Sequence, residues 1–238
     1  MKRQNQSTDF SRRKLLKFLA GATVTVVLAS RVGSKLAFPE PVVAHPHEMT
    51  PDEALQRLIE GNKRFVNGRT NNPRRDMVRI AEVATAQKPF ASILTCADSR
   101  LPAEMVFDQG FGDLFVCRVA GNVATPEEIG SLEYGTLILE SKVLMVMGHE
   151  RCGAVTAAIK GGQVPGQIGS LIDAIKPAIK RAENQPGDKL ANTCKENILL
   201  QIENLLASPV IAKLVDEGKL KIVGGYYDLD TGEVSLVS

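Results

Sequence analysis

Three continuous apolar runs alternate with amphipathic segments in the chain beyond residue 50. The runs cover residues 90–95, 114–119 and 143–147. Continuous apolar runs are typical of strands buried on both faces, and strands that alternate with helices indicate a parallel sheet. The pattern therefore predicts an α/β fold with a mostly parallel central β-sheet flanked by helices.

Amphipathic spacing predicts helices before, between and after these strands. Thr50, Pro51 and two acidic residues mark a helix start, and the apolar spacing that follows predicts an N-terminal helical arm. Further helices are expected at residues 77–86, 127–141, 152–160, 168–184, 192–206 and 209–217. Pro177 is expected to interrupt the helix that contains it. Residues 220–229 and 234–237, joined by a turn, predict a C-terminal antiparallel hairpin.

The first residues of the chain have a different pattern, with a basic segment before a short apolar run. The run covers residues 18–30. At about 1.5 Å per residue it spans roughly 20 Å, less than the ~30 Å hydrocarbon core of a bilayer. This order is typical of a signal peptide, and Arg12 and Arg13 resemble a twin-arginine export signal. A basic amphipathic segment or a permanent anchor is the alternative. We expect export to the periplasm or a thylakoid lumen, with membrane association only through an uncleaved leader.

This division also predicts the domain organisation. We expect residues 1–44 to contain the signal peptide and the start of a linker, residues 45–50 to complete the linker, and residues 51–238 to form a single domain. Prolines at 39, 41 and 46 favour a linker over regular structure. A chain of 238 residues has room for one α/β domain, and not for two, once the leader is subtracted.

Charge and cysteine content narrow the function classes. The formal net charge is +2, and much of the basic surplus lies in the first 35 residues, so the remainder is mildly acidic. A nucleic-acid partner is therefore not expected. Four cysteines in a chain of this length favour metal binding or catalysis over a disulfide scaffold.

Side chains that can bind a metal follow two of the predicted strands. Cys96 follows the first strand, and His149 and Cys152 follow the third. Ligands bind beyond the carboxyl ends of parallel strands. Two thiolates and an imidazole suit zinc, and three protein ligands leave one tetrahedral position open for chemistry. Taken singly, Cys96 could be a small core residue and His149 a hydrogen-bonded one, while Asp98 and Arg100 could form a surface ion pair.

The motifs around these residues resemble those of the β-class carbonic anhydrases. The motifs are Cys96-x-Asp98-Ser99-Arg100, His149-x-x-Cys152-Gly153, Glu60-Gly61-Asn62-x-Arg64-Phe65, and the segments 112–116, 118–122 and 131–134. The resemblance runs from about residue 51 to the C-terminus. Val119 stands where Asn is common in the family and Ala154 where a second Gly is common, departures that leave the three metal-binding residues unchanged.

The resemblance implies an activity and a set of site residues. It implies one Zn²⁺ per subunit, bound by Cys96, His149 and Cys152, with Asp98 either as an alternative fourth ligand or paired with Arg100. The implied catalytic residues are Asp98, Arg100 and Gln87, and the implied substrate-pocket residues are Phe115, Tyr134 and Gly153. The implied reaction is the reversible hydration of carbon dioxide to bicarbonate and a proton by zinc-bound hydroxide. The implied assembly is a homodimer or a higher homo-oligomer.

Other interpretations remain open at this point. A zinc hydrolase of carbonyl sulfide or carbon disulfide could use the same ligands, and a non-catalytic zinc- or bicarbonate-binding protein is a further alternative. A dinucleotide-binding domain is disfavoured because no Gly-x-Gly-x-x-Gly motif follows the first strand. Cys117 is expected in the core, whereas Cys194 lies in a polar helical region where it could be exposed.

Overall fold

A computed structural model describes residues 48–237, which form a five-stranded sheet with helices on both faces. The strands are β1 (Ala91–Thr95), β2 (Leu114–Arg118), β3 (Val143–His149), β4 (Lys221–Tyr227) and β5 (Val234–Val237). Their order across the sheet is β2-β1-β3-β4-β5, and every neighbouring pair is parallel except β4 and β5. The predicted α/β class, the mostly parallel sheet and the C-terminal antiparallel hairpin are confirmed.

Eight α-helices accompany the sheet within the described residues. They are α1 (Pro51–Val66), α2 (Met77–Val83), α3 (Ala103–Val106), α4 (Pro126–Glu133), α5 (Gly153–Lys160), α6 (Ile168–Arg181), α7 (Lys189–Leu206) and α8 (Pro209–Asp216). The predicted start of α1 is confirmed: Thr50 accepts a hydrogen bond from the Glu53 N–H, and the Glu53 carboxylate accepts one from the Thr50 N–H. This reciprocal pair satisfies donors that the first helical turn leaves without partners.

Both faces of the sheet are buried along β1 and β3, as their apolar runs predicted, whereas β2 is half-buried and its Arg118 is exposed. Leu94 belongs to the core cluster that α5, α6 and α7 cover. Its neighbour Ile93 belongs to the cluster on the opposite face, which α1 and α3 cover. Both side chains have no exposed surface. Because successive strand residues point to opposite faces, an apolar run is what two covered faces require.

The third strand is longer than its apolar run. The run was expected to end at Gly148, with His149 on the turn that follows, but β3 continues through both residues. Gly148 pairs with Tyr226 and His149 with Tyr227 on β4. A Cβ at position 148 would lie 2.8 Å from the Ile198 side chain, so the glycine lets α7 pack closely on the strand rather than ending it.

Two predicted helices also differ from the structure. The helix expected to break at Pro177 continues from Ile168 to Arg181, because its buried face packs through Ile172 and Ile175 and outweighs the one hydrogen bond that proline cannot donate. The helix expected over residues 127–141 is α4 followed by a π-helical turn, Tyr134–Ile138, in which the Leu139 N–H donates to the Tyr134 carbonyl.

Smaller corrections concern α2, α3 and the remaining cysteines. Helix α2 ends at Val83 rather than Ala86, and the single-turn helix α3 carried no sequence signal. Cys194 is buried rather than exposed, whereas Cys117 is half-buried against the core. Between residues 48 and 237, no single helix is long and apolar enough to cross a membrane, and α7 with α8 meets the length and composition test only as a pair bent by 93°. The predicted leader and linker up to residue 47 lie outside the described residues.

Candidate metal centre

Cys96, His149 and Cys152 come together at the carboxyl end of the sheet. One ligand atom from each residue lies within 4.8 Å of those of the other two. Because β1 and β3 are parallel neighbours, their carboxyl ends bring Cys96 and His149 to one edge, and Cys152 directly precedes α5. All three side chains are at least 96% buried, with residual exposures of 4%, 0% and 1%. The cluster predicted from the two motifs is therefore present.

The sulfur of Cys96 is held by the turn that follows β2. The Gly121 N–H donates to Cys96 Sγ at 3.3 Å. Gly121 has a φ of 78°, in the left-handed region that glycine tolerates, and a Cβ there would lie 2.7 Å from Ile175 Cδ1. Hydrogen bonds to a ligand sulfur fix its orientation, so this position requires glycine for two independent reasons.

His149 presents one ring nitrogen in the form that a metal requires. Its Nδ1 lies 2.8 Å from the Glu150 carbonyl oxygen. A carbonyl only accepts, so Nδ1 carries the proton and Nε2 keeps its lone pair. Among the described residues, the fully buried Nε2 has no hydrogen-bond partner. A buried lone pair with no partner, next to two thiols, fits a zinc ligand.

The two cysteines shift the pKa of each other's thiol in opposite directions. A hydrogen bond from Cys152 lowers the pKa of the Cys96 thiol, and the His149 side chain and the Gly121 N–H lower it further, against a rise from burial. The same hydrogen bond, together with burial, raises the pKa of the Cys152 thiol. The two thiols of the cluster therefore differ in acidity, and Cys96 is the more acidic of the two.

Asp98 is paired with Arg100 and does not join the cluster. Arg100 Nε donates to Asp98 Oδ1 at 2.9 Å, and its Nη2 donates to Oδ2 at 2.7 Å. These bonds hold the pKa of the Asp98 carboxyl well below its usual range. Of the two arrangements that the resemblance implied, the structure has the ion pair.

Arg118 donates hydrogen bonds to the loop that carries Cys96 and Asp98, a role that was not predicted from the sequence. Its Nε donates to the Cys96 carbonyl at 3.2 Å, and its Nη2 donates to the Asp98 carbonyl. Arg118 and Gly121 both lie in the segment 118–122 that resembles the family, so that segment was the available signal. Their contacts are to backbone groups and to a sulfur, which spacing along the chain does not indicate.

Gly153 is the expected pocket residue that lies beside the cluster. It is the first residue of α5, directly after Cys152, and it is exposed. Within the described part of the chain, a Cβ at this position would meet no heavy atom closer than 4 Å. There is therefore free space next to the Cys152 ligand.

The other expected pocket residues lie toward the opposite end of the sheet. Gln87 and Tyr134 line a cavity of about 660 Å³. Gln87 precedes β1 and Cys96 follows it, and five strand residues span roughly 16 Å. Phe115 pairs with Ser92 on β1, and its ring lies 6.2 Å from that of Tyr134. The structure thus brings these three residues together but places them away from the metal centre of the same chain.

Comparisons with known proteins point to one family. Residues 91–234 match the sequence profile of the carbonic anhydrase family. Carbonic anhydrase 2 of Mycobacterium tuberculosis is 37% identical over 191 residues, which cover 78% of this chain and 92% of that protein. Carbonic anhydrase of Mycolicibacterium smegmatis is 36% identical over 195 residues, covering 79% and 94%.

A solved structure gives the class. The β-carbonic anhydrase of Coccomyxa, in complex with acetazolamide, aligns with a TM-score of 0.62 at 25% identity and covers 77% of this chain and 86% of that one. The family match over residues 91–234 includes the strands that carry the cysteine and histidine cluster. The chain therefore belongs to the β class of the carbonic anhydrase family, enzymes that interconvert carbon dioxide and bicarbonate.

Proposed function

We propose that Cys96, His149 and Cys152 bind one catalytic Zn²⁺ per subunit and that the open fourth position is the site of carbon dioxide hydration. The observation that carries this proposal is the buried His149 Nε2, which has no partner among residues 48–237 and lies within 4.8 Å of both thiols. When bound there, zinc acidifies water so that a hydroxide nucleophile is available near neutral pH. The two sulfurs and one ring nitrogen are donors that zinc prefers, and a three-residue set is typical of catalytic sites.

Asp98 is proposed to orient the nucleophile rather than to bind the metal. Its carboxylate is ionised, because Arg100 lowers its pKa, so it can only accept hydrogen bonds. Its Oδ1 accepts from the Arg100 backbone N–H and from Nε, whereas Oδ2 accepts only from Nη2, which leaves a lone pair on Oδ2 for a further donor. Arg100 also keeps the carboxylate from closing the fourth position. The Asp98–Arg100 pair is therefore proposed as the switch between an open and a closed site.

Two chains are proposed to complete each active site. Gln87 is the amide donor that the family resemblance assigns to bicarbonate, yet it lies at the far end of β1 from Cys96. A second copy that brings its Gln87, Phe115 and Tyr134 to this metal centre would supply the missing pocket. Large side chains that line that cavity support such an interface, because Phe111 and Tyr134 are 46% and 48% exposed.

Metal analysis combined with carbon dioxide hydration tests the zinc proposal. We expect one zinc per chain in purified protein, stopped-flow hydration activity that disappears on treatment with dipicolinate and returns with added zinc, and inhibition by acetazolamide. The sulfonamide is chosen because the Coccomyxa relative was solved with it. Correctly folded protein that binds no zinc, or that keeps its activity after its zinc is removed, would contradict the proposal.

Export by the twin-arginine route is proposed from the sequence of the leader. The Arg12–Arg13 pair followed by a short apolar run supports it. Replacement of both residues by lysine keeps the charge but removes the guanidinium pair. We expect the variant to accumulate in the cytoplasmic fraction while the unchanged chain reaches the exported fraction. Equal distribution of the two proteins would exclude this route.

A further inference from the structure

Helix α7 carries two fully buried amides in the face that packs on the sheet. Asn197 and Gln201 have no exposed surface and are one helical turn apart. Their neighbours on this face, Ile198 and Leu205, are the apolar residues expected of a core helix. Burying an amide is costly unless its donors and acceptors are paired. The two residues therefore need partners, and those partners indicate what the amides do.

Both amides bond to the turn that follows β2. Asn197 Nδ2 donates to the Gly121 carbonyl at 2.8 Å, and the Ala124 N–H donates to Gln201 Oε1 at 2.9 Å. Gln201 Nε2 donates to Asn197 Oδ1 at 3.0 Å, which joins the two side chains. The helix thus holds the turn at residues 121 and 124 through one connected set of hydrogen bonds.

The same turn reaches the metal centre through Gly121. The carbonyl of this residue accepts from Asn197, and its N–H donates to Cys96 Sγ. Gly121 also has a positive φ, and a Cβ at that position would lie within 3.2 Å of the Ala154 side chain and closer still to that of Ile175. The residue is therefore packed closely and bonded through both of its peptide groups. These two groups flank the Gly121 Cα, so a shift of the backbone at the carbonyl would displace the Cα and, with it, the N–H from the sulfur.

We propose that Asn197, braced by Gln201, is a positioning residue that fixes the Cys96 ligand through the backbone of Gly121. This inference rests on the zinc site proposed above. Without the Asn197 amide, the Gly121 carbonyl loses its buried donor and the turn relaxes. The Cys96 sulfur then loses the hydrogen bond that orients it toward the metal. Outer partners of this kind tune the affinity and the electronic properties of a metal site.

Asn197→Leu removes the amide and keeps a similar volume, and Thr193→Val is its matched control. Thr193 is equally buried on α7, but its hydroxyl donates to the Lys189 carbonyl within the helix. Zinc transfer from each protein to an excess of chelator is followed at neutral pH. We expect transfer about tenfold faster from Asn197→Leu, within the range seen for outer-shell partners of metal ligands, and unchanged transfer from Thr193→Val.

Cobalt substitution separates positioning from simple loss of stability. The sulfur-to-cobalt absorption band should move to longer wavelength in Asn197→Leu, because a thiolate without a hydrogen-bond donor gives up charge at lower energy. The band should stay in place in Thr193→Val, whatever that variant does to the melting temperature. Gln201→Met, which removes the brace but keeps Asn197, should show smaller changes in the same directions and serves if Asn197→Leu does not fold.

The outcomes distinguish this inference from the zinc proposal beneath it. Unchanged protein that binds neither zinc nor cobalt would overturn the zinc proposal, and the inference with it. Unchanged protein that binds zinc, together with folded Asn197→Leu or Gln201→Met variants that match its transfer rate and its cobalt band, would overturn the positioning role alone. A shift in Thr193→Val equal to that in Asn197→Leu would also overturn it.

Discussion

The two ends of the sheet differ in how much of a site a single chain builds. At the carboxyl end, Cys96, His149 and Cys152 are buried and share a space that one ion can fill. At the amino end, Gln87 and Tyr134 line an open cavity, and Tyr134 is 48% exposed. The first end holds all three candidate metal ligands, whereas the second holds the side chains proposed to contact the substrate and has no such cluster beside them.

The difference shows how a parallel sheet constrains an active site. Loops at one end of the strands can meet one another, but a residue before β1 and a residue after it stay roughly 16 Å apart, by the rise per strand residue. A reaction that needs both sets of residues therefore needs a second chain. The three candidate ligands belong to one chain and are buried within it, whereas the residues proposed to complete the pocket can meet a second chain only where they stay accessible.

The largest expected effect comes from removing the metal or a ligand at the carboxyl end. His149→Ala leaves two thiols without the imidazole, and chelation of the unchanged protein removes the ion without altering the chain. We expect carbon dioxide hydration by either sample to fall to the rate of buffer alone. Stopped-flow measurement before and after zinc addition checks this, because zinc should restore the chelated protein and not the variant. Residual turnover in a zinc-free sample would place the chemistry elsewhere.

Arg100→Ala is expected to give the next largest effect. Loss of the two hydrogen bonds frees Asp98 to close the fourth position, so activity should fall by about 10- to 100-fold while zinc content stays full. Arg181→Ala is the matched control, because Arg181 forms an equally bidentate pair with Glu203 on the protein surface. Hydration rates and zinc analysis on the same preparations decide the matter. Unchanged turnover in Arg100→Ala would refute the switch.

The proposal that Gln87 acts at the metal centre of a second chain is tested by mixing two variants, one inactive and one of reduced activity. Gln87→Ala alone should lower activity about tenfold, the scale of one lost neutral hydrogen bond to a substrate oxygen. Refolding it together with His149→Ala should raise activity, because a mixed dimer pairs an intact metal centre with an intact Gln87. Random pairing predicts recovery to about a quarter of the unchanged protein. A mixture no more active than the average of its two components would show that each site uses the Gln87 of its own chain.

Much of this architecture could be predicted from the pattern of the sequence. Residues 90–95 and 143–147 indicated buried parallel strands, and parallel strands place Cys96 and His149 at one edge because their carboxyl ends coincide. The start of α1 was equally predictable, since a Thr followed three residues later by a Glu is the sequence pattern of a capping box, which Thr50 and Glu53 form. These predictions succeeded because they depend on interactions between residues that are close in the sequence or fixed by the sheet.

The predictions that failed depend on packing between distant segments. Helix α6 passes through Pro177 because Ile172 and Ile175 are buried against other elements, a gain that local propensity does not contain. Strand β3 continues through Gly148 because α7 packs closely on it there. Cys194 lies on α7 and is buried by the packing of that helix on the core. The residues that orient Cys96 were also missed, since they act through backbone groups supplied by another part of the chain.

The smallest expected effect concerns Thr50, which caps the N-terminus of α1 and belongs neither to the candidate metal centre nor to the Gln87 cavity. Thr50→Ala removes the hydroxyl that accepts from the Glu53 N–H, so the free energy of unfolding should fall by about 1 kcal/mol. Turnover per zinc should stay the same, because α1 contributes no group to the metal centre or to the Gln87 cavity. Chemical denaturation and stopped-flow assays on one preparation check both statements. A fall in turnover without a matching loss of zinc would mean that α1 controls how two chains assemble. The surface proposed to meet the second chain would then include this helix as well as the Gln87 cavity.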